Sequence, residues 1–269
     1  MDKKRLDVAL VERGLCESRQ KAQAAIMAGL VLVGGQTVTK AGAPVAEDTA
    51  IEVKGPAIPY VSRGGLKLEK AMKLWNIDLT GKVCADIGAS TGGFSDCMLQ
   101  TGAAKVYAVD TGYGKLDWKI RTDPRVVALE RTNARYLTHE HIPEELDFAS
   151  IDVSFISLRL ILPAIRGVVK ADGELVCLVK PQFEAGREKV GKKGVVRDKK
   201  THLEVLENFL TYADQNDFAV KAMTFSPIKG PEGNIEYLGY LAPPDTPEEI
   251  PELKALVEDS HEALEGTQA

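Results

Sequence analysis

The chain has 269 residues, 44% of them hydrophobic and 27% charged, and its short apolar runs exclude a membrane-spanning helix, so we expect a soluble, cytoplasmic globular protein. The four cysteines are scattered without a C-x-x-C spacing, which disfavours a disulfide framework and a zinc site, and no metal is expected. The net charge of −5 hides an acidic tail: residues 243–269 carry eight acids and one lysine, which leaves residues 1–242 with a net charge of +2 and compatible with a nucleic-acid partner.

Residues 1–58 are predicted to form a small α+β domain. RLDVALVERGL has apolar residues at helical spacing, and ESRQKAQAAIMAGLV follows as a second helix with Ala22, Ala25 and Ile26 facing inward. Two strand-like segments come next, LVLVGGQTV around a Gly-Gly turn and then DTAIEVKG. KGPAIPY, with two prolines, is predicted to be a linker.

Residues 59–243 are predicted to form a second domain in which strands and helices alternate. Strand patterns occur at 83–89, 105–110, 126–130, 147–153, 174–180, 217–225 and 235–241, and helical patterns at about 65–75, 93–101, 157–168 and 199–215. This alternation predicts an α/β fold with a doubly wound, mostly parallel, Rossmann-like sheet of seven strands. The connection SPIKGPEGN is too short for a crossover helix, so the last strand is expected to run antiparallel.

The acidic tail, residues 244–269, has two interpretations. Ile250, Leu253 and Val257 have the spacing of a short amphipathic helix. The high proportion of acids and prolines is also typical of a solvated end.

The stretch ADIGASTGGF is the candidate cofactor loop, because glycines follow a strand and precede a helix. The spacing differs from the dinucleotide pattern G-x-G-x-x-G, and Asp86 before the first glycine suits a ligand with a positively charged amino-acid end. Asp110 ends the next strand, where an acid can bind the hydroxyls of a ribose. A turn without a ligand is the alternative that the loop alone leaves open.

Three charged residues are expected at one edge of the sheet. Asp152 and Lys180 end the fourth and fifth strands, and Glu236 begins the antiparallel last strand, so all three lie where open α/β sheets bind ligands. Lys67 is a fourth candidate, although the residues alone favour the exposed face of a helix for Lys67, Lys70 and Lys73, and spacing does not separate Lys67 from Lys70. A helix cap at Asp152 and an edge-strand charge at Glu236 are the structural alternatives. Lys180 is hardest to explain in this way, because buried lysines are rare unless paired.

The motifs SRGGLKL, DIGASTGGF, RTNAR, DVSFISL, LVKPQFE and GNIEYL, in this order, resemble the TlyA (hemolysin A) family. Its members join an S-four-type RNA-binding domain to an FtsJ-like ribosomal RNA methyltransferase domain, and the resemblance extends to about residue 242. It implies S-adenosylmethionine as the cofactor, ribosomal RNA or ribosomal subunits as the partner, and methylation of a ribose 2′-hydroxyl, in similar proteins that of cytidine. It also implies a Lys-Asp-Lys-Glu catalytic tetrad, which falls on Lys67, Asp152, Lys180 and Glu236.

The same resemblance implies further binding residues. The implied cofactor contacts are Asp86, Gly88, Ala89, Ser90, Gly92, Gly93, Phe94, Asp110, Asn133 and Asp152. The implied RNA contacts in the first domain are Lys3, Lys4, Arg5, Arg13, Arg19 and Lys21, and the predicted RNA contacts in the second domain are Arg63, Arg187, Lys189, Lys192 and Lys193. From composition alone, a solvated basic surface in the first domain is as good an interpretation. The stretch AGREKVGKKGVVRDKK after Lys180 is predicted to be a mobile loop that contacts phosphates.

Methyl transfer to a ribose is an in-line displacement, so the enzyme must align the acceptor oxygen and help to remove its proton. Lys180 is the hypothesised base or oxyanion partner, since burial beside a second ammonium such as Lys67 favours a neutral amine, whereas the two acids favour the charged form. Two other functions remain open at this stage: a membrane-active hemolysin, although the sequence contains no spanning segment, and an RNA-binding assembly factor without catalysis.

Overall fold

The computed structural model describes residues 3–16, 18–27, 29–53 and 58–264. The chain divides into two compact units, Met1–Pro59 and Tyr60–Ala269. Residues 54–57 of the predicted linker KGPAIPY lie outside the described residues.

The first unit packs two helices on short strands. Its elements are β1 (Lys3–Arg5), α1 (Leu6–Glu12), α2 (Arg19–Met27), β2 (Val31–Val33), β3 (Gln36–Thr37), β4 (Pro44–Ala46) and β5 (Ile51–Val53). β2 pairs antiparallel with β3 and β5, and β1 pairs antiparallel with β4. The core is apolar and consists of Leu6, Leu10, Ala22, Ile26, Val31 and Val45. Both predicted helices are present, whereas β1 and β4 have no apolar alternation from which to predict them.

The second unit contains a seven-stranded sheet. Its strands are β6 (Val83–Ile87), β7 (Lys105–Val109), β8 (Val126–Leu129), β9 (Leu146–Ile151), β10 (Val169–Val179), β11 (Ala219–Phe225) and β12 (Tyr237–Ala242). The strand order is β11-β12-β10-β9-β6-β7-β8. β12 runs antiparallel to both neighbours, whereas the pairs from β10 through β8 are parallel. The predicted mostly parallel sheet with an antiparallel last strand is therefore confirmed.

Helices cover both faces of this sheet. They are α3 (Gly64–Trp75), α4 (Gly93–Gln100), α5 (Trp118–Arg121), α6 (Leu162–Arg166), α7 (Pro181–Glu184), α8 (Lys199–Asp214) and α9 (Leu253–Leu264). Alternate residues of β10 belong to two different core clusters, Leu175 and Cys177 to one and Val176 and Leu178 to the other. This alternation is what a strand buried on both faces requires, and it explains the continuous apolar run in the sequence.

Two local predictions differ from the structure. The helix predicted over 157–168 is a 3-10 turn at Leu158–Leu160 followed by α6, whose early proline occupies the first turn, where it costs no hydrogen bond. β10 begins at Val169, five residues earlier than expected, and its register against β9 shifts between Val169 and Glu174. Such a shift interrupts the alternation on which strand prediction depends.

Residues 253–264 of the acidic tail form a packed helix rather than a solvated end. α9 buries Leu256, Val257, Ser260 and Leu264, and Ile250 and Leu253 pack against the same core. The amphipathic-helix interpretation of this segment is therefore confirmed. Within the described part of the chain, no helix is both long enough and apolar enough to span a bilayer.

Candidate active site

The loop after β6 is built around residues with a left-handed backbone. Gly88, Ser90 and Gly92 have φ values of 89°, 48° and 93°. The amides of Gly88 and Ala89 both donate to the carbonyl of Val109, at 2.8 and 3.0 Å. A Cβ at residue 88 would collide with the Asp152 carbonyl, so only glycine lets the loop lie against the end of β9. α4 then begins at Gly93, and its amino-terminal backbone N–H groups point toward the loop.

Asp86 lies at the base of this loop and is 1% exposed. Its Oδ2 accepts hydrogen bonds from the amide and hydroxyl of Ser95 in α4, at 2.8 and 2.7 Å. Its Oδ1 is also buried and has no hydrogen-bond partner among the residues that the structure describes. Burial raises the pKa of Asp86 to about 7, and the nearby charges of Asp152 and Asp110 act in the same direction. Three carboxyl groups therefore converge on a site that would favour a cationic ligand.

Asp110 closes the other side of the loop. Its carboxylate accepts from the amides of Ser90 at 2.8 Å and Gly112 at 2.6 Å, and the Lys115 ammonium lies 3.8 Å away. Asn133, another predicted cofactor contact, is exposed and caps a 3-10 turn by accepting from the Arg135 amide at 3.0 Å. The predicted residue Phe94 is buried at 3% exposure in the core beside α3, where it would support the loop rather than contact a ligand.

The chemistry of these groups fits S-adenosylmethionine. The orphaned Asp86 oxygen offers an acceptor for a protonated amino group, and the converging carboxyl groups suit a molecule that carries a sulfonium charge. The Asp110 carboxylate lies at the carboxyl end of β7, where this class of sheet binds ribose hydroxyls. These residues would hold the cofactor, which is the source of the methyl group.

Lys180 pairs with Asp152. The Lys180 ammonium lies 2.6 Å from Oδ1 of Asp152 and donates to the hydroxyl of Ser154 at 3.1 Å. Lys180 is 8% exposed, and the Asp152 side chain is 21% exposed, so the pair faces partly toward solvent. The ordinary alternative, Asp152 as a helix cap, is not what the structure shows, because its carboxylate pairs with the lysine. Ser154 has no distinguishing sequence pattern, and sequence reasoning missed it.

Lys67 pairs with Glu236 beside the first pair. The Lys67 ammonium donates to Oε2 of Glu236 at 2.6 Å, and the two residues are 7% and 1% exposed. Gln182, two residues after Lys180, approaches the same carboxylate at 3.4 Å and so links the two pairs. Lys67 therefore lies in the interior and not on the exposed face of α3. Lys70 instead donates to the Phe225 carbonyl at 2.7 Å and anchors α3 to the end of β11.

Two phenylalanines lie next to the Lys180 pair. Phe155 is 91% exposed and has a φ of 64°, a strained conformation for an aromatic residue. Its ring centroid lies 5.0 Å from that of Phe183, and the Lys180 ammonium lies 5.8 Å from the Phe183 ring. Glu184 holds this loop in place by accepting from the Ser157 hydroxyl at 2.6 Å and the Leu158 amide at 2.8 Å. An exposed, strained aromatic beside buried ionic groups is a marker of function that the sequence alone does not reveal.

The basic residues predicted in the first unit differ in their surroundings. Arg5 and Arg19 both pair at 3.0 Å with Asp7, which is fully buried, yet their own side chains remain more than half exposed. Arg13 donates to the carbonyls of Ala46, Glu47 and Thr49 at 2.7 to 3.2 Å, which holds the unit together and leaves this guanidinium little capacity for phosphate. Lys3, Lys4 and Lys21 are exposed, and Lys4 pairs with Glu12 at 2.8 Å.

The basic residues predicted in the second unit lie mostly in one loop. Arg187, Lys189, Lys192 and Lys193 are exposed between α7 and α8, and Lys189 pairs with Glu204. Arg63 is half-buried immediately before α3. Since the loop follows directly on the segment that carries Lys180, it begins at the same edge of the sheet as the two ion pairs.

A Rossmann-like sheet with an antiparallel last strand, a glycine loop backed by an acid and a carboxylate on the next strand together define an S-adenosylmethionine-dependent methyltransferase. The chain belongs to the FtsJ-like methyltransferase family, whose model matches residues 60–242. An S4 domain model matches residues 4–51, which comprise most of the first unit.

The chain is similar to proteins of known name over most of its length. A Bacillus subtilis protein provisionally named rRNA methyltransferase YqxC is 50% identical and covers 99% of this chain and 97% of its own. The 16S/23S rRNA (cytidine-2′-O)-methyltransferase TlyA of Mycobacterium tuberculosis is 44% identical, over 88% of this chain and 89% of its own. A solved structure from Streptococcus thermophilus, described only provisionally as a hemolysin, is 46% identical, covers 98% of each chain and has a TM-score of 0.78.

Proposed function

We propose that this protein methylates the 2′-hydroxyl of a cytidine ribose in ribosomal RNA, with ribosomal RNA or a ribosomal subunit as its substrate. The observation that carries the proposal is the pair of buried lysine–carboxylate contacts at the sheet edge, Lys180–Asp152 and Lys67–Glu236, each at 2.6 Å. Buried lysines are rare in proteins unless they are paired, and these two lie at the edge of the sheet where the cofactor loop also lies. The printed activity of the Mycobacterium tuberculosis relative supports the same substrate.

Lys180 is the residue to which we assign the proton transfer. When bound, S-adenosylmethionine would supply the methyl group, which would exchange its bond to sulfur for a bond to the ribose oxygen. The hydroxyl proton must leave in that step, and a neutral Lys180 amine can take it, becoming the ammonium that Asp152 then stabilises. The Ser154 hydroxyl, 3.1 Å from the same nitrogen, orients the amine toward the substrate.

Lys67 and Glu236 are assigned a positioning and electrostatic role. The Lys67 cation stabilises negative charge that develops on the ribose oxygen, and Glu236 holds its ammonium in place at 2.6 Å. Gln182 contacts the other oxygen of Glu236 and keeps that carboxylate aligned with the segment that carries Lys180. Both groups are buried, so their geometry is set before substrate arrives.

RNA binding is assigned to two surfaces and one aromatic platform. Residues 1–58 would form the RNA-binding domain through the exposed side chains of Lys3, Lys21 and Arg19, and residues 59–243 the methyltransferase domain. The basic loop after α7 would contact phosphates near the reacting nucleotide. Phe155, exposed beside Phe183, offers a face on which an unpaired base can stack.

Methyl transfer into ribosomal RNA tests this function. Purified protein is incubated with labelled S-adenosylmethionine and ribosomal subunits from a strain that lacks the protein. We expect label in one or a few ribose positions, and loss of the label with Lys180→Met. Lys170→Met is the matched control, because Lys170 lies on β10, the strand that Lys180 directly follows, and also pairs with an aspartate, Asp147, at 2.5 Å. Label on a base instead of a ribose would overturn the proposal.

A further inference from the structure

The basic loop, residues 186–197, has an exposed tip and a buried base. At the tip, the Gly194 amide donates to the Gly191 carbonyl at 2.9 Å, and the Gly191 amide donates to the Val195 carbonyl at 3.1 Å. This tight turn leaves Lys192 and Lys193 exposed, with no ion pair or hydrogen bond from their ammonium groups to the described residues. Residues 191–195 are therefore a folded turn, the lysine turn, that presents two adjacent cations to solvent.

The base of the loop is held by the side chain of Asn234. Its Oδ1 accepts from the Val196 amide at 3.0 Å, and its Nδ2 donates to the Gly194 carbonyl at 2.8 Å. Asn234 is 2% exposed and Val196 is 3% exposed. Both polar ends of one buried amide thus fix the backbone on either side of residue 195, immediately after the two lysines.

His202 holds the same segment through the Val196 carbonyl. Its Nε2 lies 3.0 Å from the Val196 carbonyl, and its Nδ1 lies 2.8 Å from the Tyr237 hydroxyl. Burial lowers the pKa of His202 to about 4, so the ring is neutral. Since a carbonyl only accepts, Nε2 carries the proton and Nδ1 accepts from Tyr237, whose hydroxyl also lies 3.0 Å from that of Ser260 in α9.

Asn234 and Tyr237, which take part in holding the loop, lie on either side of Glu236, the partner of Lys67, in the sequence. Glu236 lies two residues after Asn234 and directly before Tyr237. Its backbone is fixed as well, because the Ser226 amide donates to the Glu236 carbonyl at 2.8 Å and the Gly230 amide donates to the Asn234 carbonyl at 2.9 Å. A continuous chain of buried hydrogen bonds therefore joins the lysine turn to the start of β12.

We propose that Asn234, with His202, is a positioning residue of the methyl transfer. It holds the lysine turn at a fixed position relative to the backbone that carries Glu236. RNA that is bound by Lys192 and Lys193 is thereby positioned at the Lys67–Glu236 pair. The inference rests on the proposed function, from which it takes ribosomal RNA as the substrate. A stabilising contact without this role would affect folding but not the use of the two lysines by RNA.

A double-mutant cycle on RNA binding tests the coupling. Binding of ribosomal RNA is measured over a range of salt for the wild type, Asn234→Ala, a variant with both loop lysines changed to alanine, and the combination. We expect Asn234→Ala to weaken binding about tenfold and to lower the slope of log K against log salt by roughly 1.4 to 1.8, the contribution of two phosphates. In the combined variant the lysine substitutions should then have little further effect. Cofactor affinity should not change.

Asn216→Ala is the matched control, because the Asn216 amide also donates to a backbone carbonyl, that of Tyr212 at 2.7 Å, far along the chain from the loop. If Asn234→Ala does not fold, His202→Phe removes the other anchor without changing charge and must lower the salt slope. An unchanged slope with fully additive substitutions would overturn the inference. Because binding is read without catalysis, a wild type that binds RNA but transfers no methyl group would contradict the proposed function and leave this test intact.

Discussion

Replacing Lys180 with methionine removes one charge from a pair that the structure holds at 2.6 Å. Asp152 then has no ammonium at that distance, and its side chain is 21% exposed, so water can rehydrate part of it. Breaking a fully buried pair costs about 3–5 kcal/mol, and this partial exposure reduces the expected loss of stability to about 1–2 kcal/mol. The loss of a positioned base has a larger effect on rate, a decrease of about 10²–10⁴-fold in methyl transfer.

The assay is transfer of labelled methyl groups to ribosomal subunits, with cofactor affinity measured by calorimetry and unfolding followed in urea. Lys180→Met should lose the rate and keep cofactor affinity within about twofold, because no hydrogen bond or ion pair joins this amine to the described residues of the cofactor loop. Lys170→Met, the control on β10, should retain the rate. Lys180→Arg is the sharper variant: it preserves the charge next to Asp152 but cannot release a proton at neutral pH, so it should fold normally and remain inactive. An active Lys180→Arg enzyme would refute the assignment of Lys180 as the base.

Three further predictions follow from burial and strain. Glu236→Gln leaves Lys67 buried without its counter-charge and should lower the free energy of unfolding by roughly 3–5 kcal/mol. Glu69→Gln is the control on α3, the helix that carries Lys67, and should cost less than about 1 kcal/mol because its partner Lys73 is exposed. Equal losses in urea unfolding would contradict the buried pair. Burial raises the pKa of Asp86 to about 7, so the native state binds a proton at this carboxyl more tightly than the unfolded chain does. The free energy of unfolding should therefore fall, by up to about 4 kcal/mol, as the pH rises from about 4 to about 7. Asp86→Asn should abolish that fall. The measurement is the free energy of unfolding across this pH range, and the same dependence on pH in both proteins would contradict the raised pKa of Asp86. Phe155→Gly relieves the positive φ and should raise the melting temperature, while removal of the stacking face should weaken RNA binding about tenfold; unchanged RNA affinity by filter binding would exclude a stacking role.

The architecture of the sheet could be predicted because connection lengths limit strand direction. The short segment between the last two strands excludes a crossover, so β12 had to run antiparallel, and this places Glu236 at the edge where β9 and β10 end. The same reasoning brought Asp152 and Lys180 to that edge from sequence alone. Lys67 was not determined in this way, since helical spacing gave Lys70 an equal claim, and only the family resemblance separated them.

Other parts of the site could not be predicted, since they depend on contacts between distant segments. Ser154 and Gln182 are ordinary polar residues until the fold places them next to Lys180 and Glu236. Asn234 and His202 lie in polar stretches that indicate loops and exposed helix faces, yet both are buried by packing against α9 and the basic loop. Charge patterns likewise do not show which cations are already used, as with Arg13, whose donors hold backbone carbonyls.

Mass mapping of methylated nucleotides in ribosomal RNA tests the central claim most directly. Ribosomal subunits from cells that lack the protein are incubated with S-adenosylmethionine and either the wild type or Lys180→Arg, and the fragments are compared. The proposed function predicts a methyl group on the ribose of a defined cytidine with the wild type and none with the variant. A methyl group on a base, or the same ribose methylation by both proteins, would contradict it.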